Sequence, residues 1–165
     1  MSKAPASGAA PSPPVSLLWA APEDSHAVAK LHATLFPTAW DSDAIKALIE
    51  HPASLALVAV RPGREIVGFI IAQIAADEAE ILTVGVAPDR QGHGIGRQLV
   101  EGASRAAKRS EARRLFLDVA DSNAAARALY ASCDFEEIGR RKAYYTLPGG
   151  AREDALLLAR DLTTT

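Results

Sequence analysis

The sequence predicts an α/β fold: a central mixed, mainly antiparallel sheet with helices on both faces. Three observations carry this reading. Three β runs follow one another over residues 54–86 with short turns between them, as in an antiparallel meander. A strand–helix–strand succession from residue 80 to residue 119 requires a parallel crossover. Two amphipathic helical patterns precede the meander, so helices are available to cover both sides of one sheet.

Residues 1–14, MSKAPASGAAPSPP, hold four prolines among Ala and Ser and read as a disordered tail. They lack the apolar run of a secretory signal. From Val15 the composition changes, and residues 15–165 read as a single domain. Val15–Ala20 is a short strand. Pro22-Glu23-Asp24 opens a helix, with Pro in the first turn and acids at the positive end of the dipole. Val28, Leu31 and Leu35 form its apolar stripe, and Leu35-Phe36-Pro37 ends it. Asp41 or Ser42 caps a second helix through Ile45, Leu48 and Ile49, which stops before Pro52.

The β runs Ser54–Val60 and Glu65–Ile74 are joined by Arg61-Pro62-Gly63-Arg64, a turn with Pro and Gly suitably placed. After a turn at Asp77-Glu78, a third run, Glu80–Val86, ends at Ala87-Pro88. The glycine-rich turn 90–96 leads into a helix with Ile95, Leu99, Ala103 and Ala106 on one face. In the strand Arg114–Val119, Leu115, Leu117 and Val119 point one way, Phe116 and Asp118 the other. Asp121-Ser122-Asn123 offers caps for a short Ala-rich helix ending near Tyr130–Ser132. Two more strands, Phe135–Ile138 and Asp154–Leu162, flank a Pro148-Gly149-Gly150 loop. His26, His32 and His51 read as solvated helix or loop residues, and Cys133 as a small buried hydrophobe.

Composition excludes several classes of function. Of the 165 residues 48% are hydrophobic and 23% charged, as in an ordinary globular chain. A net charge of −2 gives no basic balance for nucleic acid. The longest uncharged apolar stretch, Ile66–Ala76, is well short of the roughly 18 residues that span a bilayer. One cysteine, Cys133, cannot form an internal disulfide, and no Cys/His spacing suits a metal. That cysteine usage fits a reducing cytoplasm.

The segment Val84-Gly85-Val86-Ala87-Pro88-Asp89-Arg90-Gln91-Gly92-His93-Gly94-Ile95-Gly96-Arg97 is the most informative. A strand runs into a turn with three alternate glycines, where a helix begins. Such a turn brings successive N–H groups close to a ligand at a positive dipole end, and it suits a phosphate or pyrophosphate. A Walker loop needs Lys-Ser/Thr after its last glycine, whereas Arg97-Gln98 follow Gly96. The dinucleotide fingerprint needs a glycine where Arg97 or Leu99 stands. A tight turn whose glycines only permit close packing is the other reading of the spacing.

Gln91-x-x-Gly94-x-Gly96, preceded by Ile81-Leu82-Thr83-Val84-Gly85-Val86, resembles the acetyl-CoA motif of the GNAT N-acetyltransferase superfamily. Leu117-Asp118-Val119, Asn123 to Tyr130, Cys133-Asp134-Phe135, Gly139 to Tyr145 and Arg152-Glu153-Asp154-Ala155 are similar to its RimI-like, ribosomal-protein-alanine branch. Leu35-Phe36-Pro37-Thr38-Ala39-Trp40 is a looser likeness to that branch's Phe-Pro-x-Pro-Trp segment. The likeness covers residues 15–162.

The resemblance implies acetyl transfer from acetyl-CoA to an amine by direct attack on the thioester, without a metal. It assigns the pyrophosphate to the amides of Gln91, Gly92, His93, Gly94, Ile95, Gly96 and Arg97. It assigns the pantetheine arm to the backbone of Val84, Gly85 and Val86, with a bulge that parts this strand from the 114–119 strand. Asn123 matches a coenzyme-contacting asparagine, and Tyr130 the tyrosine that protonates the leaving thiolate. The branch's base is a glutamate on the 114–119 strand, where this chain has Asp118, one methylene shorter. Glu80 is a rival base, and solvent a third option.

Simpler readings stand beside these. Tyr130 can be a core aromatic, and Asp118 the partner of an arginine. Arg140, Arg141, Lys142, Tyr144 and Tyr145 shape the peptide entrance in the branch, or form an edge strand and a mobile loop. Arg105, Lys108, Arg109, Arg113 and Arg114 read as a solvated face. The implied acceptor is a protein N-terminal α-amine, the alanine terminus of a ribosomal protein, with no direct nucleic-acid or membrane partner. An acetyltransferase for lysine or a small amine, and a non-catalytic acyl-CoA-binding module, are the alternatives.

Overall fold

A computed structural model describes residues 14–164. Apart from Pro14, the tail assigned to residues 1–14 lies outside the described residues. In chain order the elements are β1 (Ser16–Trp19), α1 (Ser25–Leu35), α2 (Ser42–Glu50), β2 (Ser54–Arg61), β3 (Glu65–Ala75), β4 (Glu78–Val86), α3 (Ile95–Arg109), β5 (Arg114–Ala120), α4 (Ala124–Ser132), β6 (Glu136–Thr146) and β7 (Arg152–Asp161). The seven strands form one sheet in the order β1-β2-β3-β4-β5-β7-β6. Every neighbouring pair is antiparallel except β4 and β5.

The helices divide between the faces as the patterning requires. Val28 of α1 and Ile45 of α2 pack with Ala56, Val58, Phe69 and Ile71. On the other face Ile95, Leu99, Ala103 and Ala106 of α3 join Leu55, Leu57, Ile70, Leu115, Leu117 and Leu156. Leu115, Leu117 and Val119 are buried there, and the alternation sends Phe116 and Asp118 to the α1–α2 face. The Asp41 side chain accepts the Ala44 N–H and caps α2.

Two expectations are corrected. β6 does not end at Ile138 but continues to Thr146, carrying Arg140–Tyr145 into the sheet, with no mobile loop before Leu147. It shows no apolar alternation because it is an edge strand exposed along nearly all its length, so sequence pattern could not reveal it. His32 is 3% exposed rather than solvated. It lies four residues after Val28 and three before Leu35, on the apolar stripe of α1, and so turns inward.

Candidate active site

β4 and β5 pair only through Glu78–Arg114, Ala79–Leu115 and Glu80–Phe116. Against β3, Ile71 aligns with Thr83 while Ala72 aligns with Ile81, so Leu82 is an extra residue. This is the expected bulge, and beyond it the two strands part. The opening faces the carboxyl ends of parallel strands, where α3 and α4 both begin. The Ala87 N–H donates to Val67 of β3, so by strand alternation the polar groups of Val84 and Val86 face the opening. The Val86 carbonyl accepts Nε2–H of Gln91 at 3.0 Å, which ties the glycine turn back to the strand. The same alternation turns the polar groups of Gly85 toward β3, and on the α1 face a Cβ there would come within 2.6 Å of Leu35 and 2.8 Å of Phe69.

In the glycine turn, Gly92 and Gly94 have φ of +81° and +82°, a conformation that side chains with a Cβ rarely adopt. A Cβ at either would meet nothing within 4 Å, so it is backbone conformation, not crowding, that requires glycine there. Gly94 is the N-cap of α3 and has no side chain to occupy the first-turn N–H groups. Those donors, with the dipole of a 15-residue helix, form an anion-binding concavity that fits a pyrophosphate. Gly96 serves packing, since a Cβ there would lie 3.2 Å from Leu129 of α4. Gln91, His93 and Arg97 are exposed around the turn, and Ile95 is buried beneath it. Asn123 caps α4 by accepting the Ala126 N–H at 3.1 Å, which occupies its carbonyl oxygen and leaves its amide N–H groups available.

The opposite wall carries side chains that titrate. Asp118 is 17% exposed, and its Oδ1 accepts from Nε of Arg141 on β6 at 3.3 Å. Arg141 also lies over the Tyr144 ring at 5.5 Å. Tyr130 is buried and meets Phe135 edge-on at 5.7 Å. Burial, then the neighbouring Tyr145, pushes its phenol up to about 12. Tyr145 is likewise pushed up to about 12, by burial and then by the charge of Asp118. Asp118, Tyr145 and Tyr130 therefore share one electrostatic neighbourhood. Glu80 is exposed one residue pair below Asp118 on the same sheet face, within the closed part of the β4–β5 ladder.

Sequence reasoning placed Tyr145 only at an entrance. Its electrostatic link to Tyr130 and Asp118 depends on β6 pairing outside β7, and no local signal announces that. His32 was also missed as a structural anchor. Its Nδ1 accepts the Trp40 N–H at 3.2 Å, and its ring stacks on Trp40 at 5.0 Å and tilts against Phe69 at 5.9 Å. Burial lowers its pKa. The α1–α2 connection is thereby fixed behind Gly85. A separate open cleft of about 380 Å³, between α4 and the β6–β7 hairpin, is lined by none of the sequence-predicted site residues. Among the described residues no cluster of His, Cys, Asp or Glu could hold a metal ion. Nor is any helix among them long and apolar enough to cross a membrane.

The profile of the acetyltransferase (GNAT) family matches residues 25–135. A Bacillus subtilis protein, provisionally named a ribosomal protein bS18-alanine N-acetyltransferase, is 34% identical over 137 residues, 82% of this chain and 88% of that protein. The ribosomal protein bS18-alanine N-acetyltransferase of Escherichia coli K12 is 42% identical over 91 residues, which span 55% of this chain and 61% of that protein. The crystal structure of the ribosomal-protein-S18-alanine N-acetyltransferase from Escherichia coli superposes with a TM-score of 0.84 at 28% identity, covering 92% of this chain and 96% of that one. Arabidopsis thaliana NAA60 in complex with acetyl-CoA shares the fold, with a TM-score of 0.80 at 21% identity over 91% of this chain and 99% of that one.

Proposed function

This chain belongs to the acetyltransferase (GNAT) family, and from that premise we propose that it transfers acetyl from acetyl-CoA to the N-terminal α-amine of a ribosomal protein that begins with alanine. Its acceptor is the one named for its RimI-like relatives. The reading takes residues 15–165 as one catalytic unit, residues 1–14 as a tail, and the cytoplasm as the location. The observation that carries it is the opening between β4 and β5, with a glycine turn at one end and Asp118, held by Arg141, on the β5 side.

Bound acetyl-CoA supplies a thioester carbonyl as electrophile and a thiolate as leaving group. The residues that hold it are the 91–97 turn at the α3 N-terminus, the opening-facing backbone of Val84 and Val86, and the free amide of Asn123. An α-amine has a pKa of about 8, so removing its proton near neutral pH needs little driving force. Asp118 is the base. Arg141 engages Oδ1 and fixes the carboxylate, leaving Oδ2 to take the amine proton directly or through a water. Tyr130 is the acid: its raised pKa keeps the phenol protonated throughout the working range, so a proton is always present for the departing thiolate.

Thiol release from acetyl-CoA with a panel of acceptors tests the reading. The panel holds a peptide with a free alanine terminus, its N-blocked form, an internal-lysine peptide and small amines. Turnover confined to the free alanine terminus is expected. Turnover with lysine or small amines would discard the acceptor, and acetyl-CoA binding without any turnover would favour a non-catalytic binding module.

A further inference from the structure

The β6–β7 hairpin contains an irregularity that faces the acceptor wall. Arg141 pairs with Ala155 and Tyr145 with Glu153, so three β6 residues, 142–144, stand opposite Asp154 alone. Ala143, in the middle, has φ +50°, a left-handed conformation unusual for a residue with a Cβ. Excess chain on an edge strand does not hold such a shape unaided, because its N–H groups have lost their ladder partners.

Asp154 provides a partner. Its Oδ1 accepts the Ala143 N–H at 2.9 Å, and its Oδ2 accepts from Nη1 of Arg140 at 3.1 Å. The same Nη1 reaches Oδ2 of Asp121, in the β5–α4 turn, at 3.0 Å. The connection is doubled in the backbone, where the Asp121 N–H donates to the Asp154 carbonyl at 3.0 Å. Next to it, Glu153 Oε1 accepts the Ser122 N–H at 2.7 Å. Arg127 of α4 closes the network on the Asp121 carbonyl at 3.1 Å.

These groups are exposed or half-exposed, and exposed ion pairs add little to global stability. What the arrangement determines is local. It fixes the fold of segment 142–144, and on either side of that segment sit Arg141, which engages Asp118, and Tyr145, where the ladder with β7 resumes opposite Glu153. None of its contacts touches the 91–97 turn.

We propose that Asp154 is a positioning residue for the acceptor: by holding the 142–144 bulge against the β5–α4 turn with Arg140 and Asp121, it sets Arg141 and Tyr145 in place for the incoming peptide. The inference rests on the proposed α-amine acetyltransferase activity for its kinetic readout, but not for its structural one. Its test uses the full chain in four forms: wild type, Asp154→Ala, Asp154→Asn and Arg140→Gln. Measured for each are KM and kcat with the alanine-terminus peptide, direct acetyl-CoA binding, and amide hydrogen exchange of segment 141–146.

In Asp154→Ala, peptide KM should rise on the order of tenfold, as for other displaced positioning groups, with acetyl-CoA affinity unchanged and faster exchange over 141–146. Asp154→Asn keeps an oxygen for the Ala143 N–H and should recover most of both losses. Arg140→Gln keeps that bond and the backbone tie to Asp121 but cuts the side-chain tie. It should show the same split at smaller size, and it stands in if Asp154→Ala does not fold. Unchanged peptide KM and exchange, or equal losses for peptide and acetyl-CoA, would overturn the proposal. Should the wild type not turn over the peptide, the acceptor assignment fails. Faster exchange at unchanged acetyl-CoA affinity would then still support the role of Asp154, and unchanged exchange would overturn it.

Discussion

The two ends of the candidate site are built from different materials. The end proposed for the coenzyme is mostly backbone: the glycine turn before α3, with φ positive at Gly92 and Gly94, and the unpaired edge of β4, with the Asn123 amide beside them. The end proposed for the acceptor is side chain: Asp118, Tyr130, Tyr145, Arg141 and the Asp154–Arg140–Asp121 network. A backbone site recognises a phosphate by amide direction and dipole, which any acyl-CoA enzyme of this fold can share. A side-chain site is specific to one acceptor and one reaction, because charge and proton inventory differ with each residue. The division predicts that the two ends fail separately.

The largest separation is expected at Tyr130. Tyr130→Phe keeps the ring that meets Phe135 and removes only the hydroxyl, so kcat should fall on the order of 100-fold, as for loss of a general acid. Acetyl-CoA affinity, measured by direct binding, should stay as in the wild type. An equal fall in affinity would mean that Tyr130 only packs, and the division at this residue would be lost.

Gly94→Ala tests the other end. Its Cβ meets nothing within 4 Å, so the whole effect comes from φ +82°. A left-handed alanine costs about 1–2 kcal/mol, which corresponds to roughly tenfold weaker acetyl-CoA binding if the turn relaxes to avoid it. Peptide KM at saturating acetyl-CoA should not move. Isothermal titration and steady-state kinetics together decide this, and a rise in peptide KM would join the two ends.

The smallest effect is in the pH profile. Tyr130 and Tyr145 are raised to about 12, so neither loses its proton as pH passes the ordinary tyrosine value of about 10. The rate should climb as the α-amine deprotonates near pH 8 and then stay level to about pH 10.5. A descending limb near pH 10 would place the acid outside the buried pair. Asp154 behaves oppositely: the Ala143 N–H and then Arg140 hold its carboxyl below the usual range. Its contribution is present above the ordinary carboxylate pKa and is lost as pH falls through the lowered value, so acid should loosen the acceptor end alone.

The same contrast explains how much could be read from sequence. The strand, glycine turn and helix proposed for the coenzyme were legible because their signals are local: alternate glycines, a strand before and an amphipathic helix after. Asp118 was legible as outward-facing because Leu115, Leu117 and Val119 fix the alternation of β5. The mixed sheet and its two helical layers followed from periodicity, and the bulge at Leu82 followed from the family resemblance. The acceptor end was only partly legible. Its network joins residues 121, 140, 143 and 154, which meet because β7 inserts between β5 and β6. Strand order is a long-range property, and the exposed β6 carries no apolar period to betray it. His32 is a different case, since its spacing marked it as inward and only its polarity argued otherwise.

The three-residue ladder between β4 and β5 has a consequence for how the chain is held together. Strands β1–β4 come from residues 16–86 and strands β5–β7 from residues 114–161, so each half of the sheet is continuous in sequence and closed by antiparallel neighbours. Between the halves the backbone is paired at these three positions alone, and what holds them together is one apolar core in which α3 packs with residues of β2, β3, β5 and β7. A ligand held between β4 and β5 would touch both halves and bind only the folded sheet. By mass action its binding would add to the stability of that sheet. Acetyl-CoA bound there would be both a reactant and a clasp across the thinnest seam of the sheet.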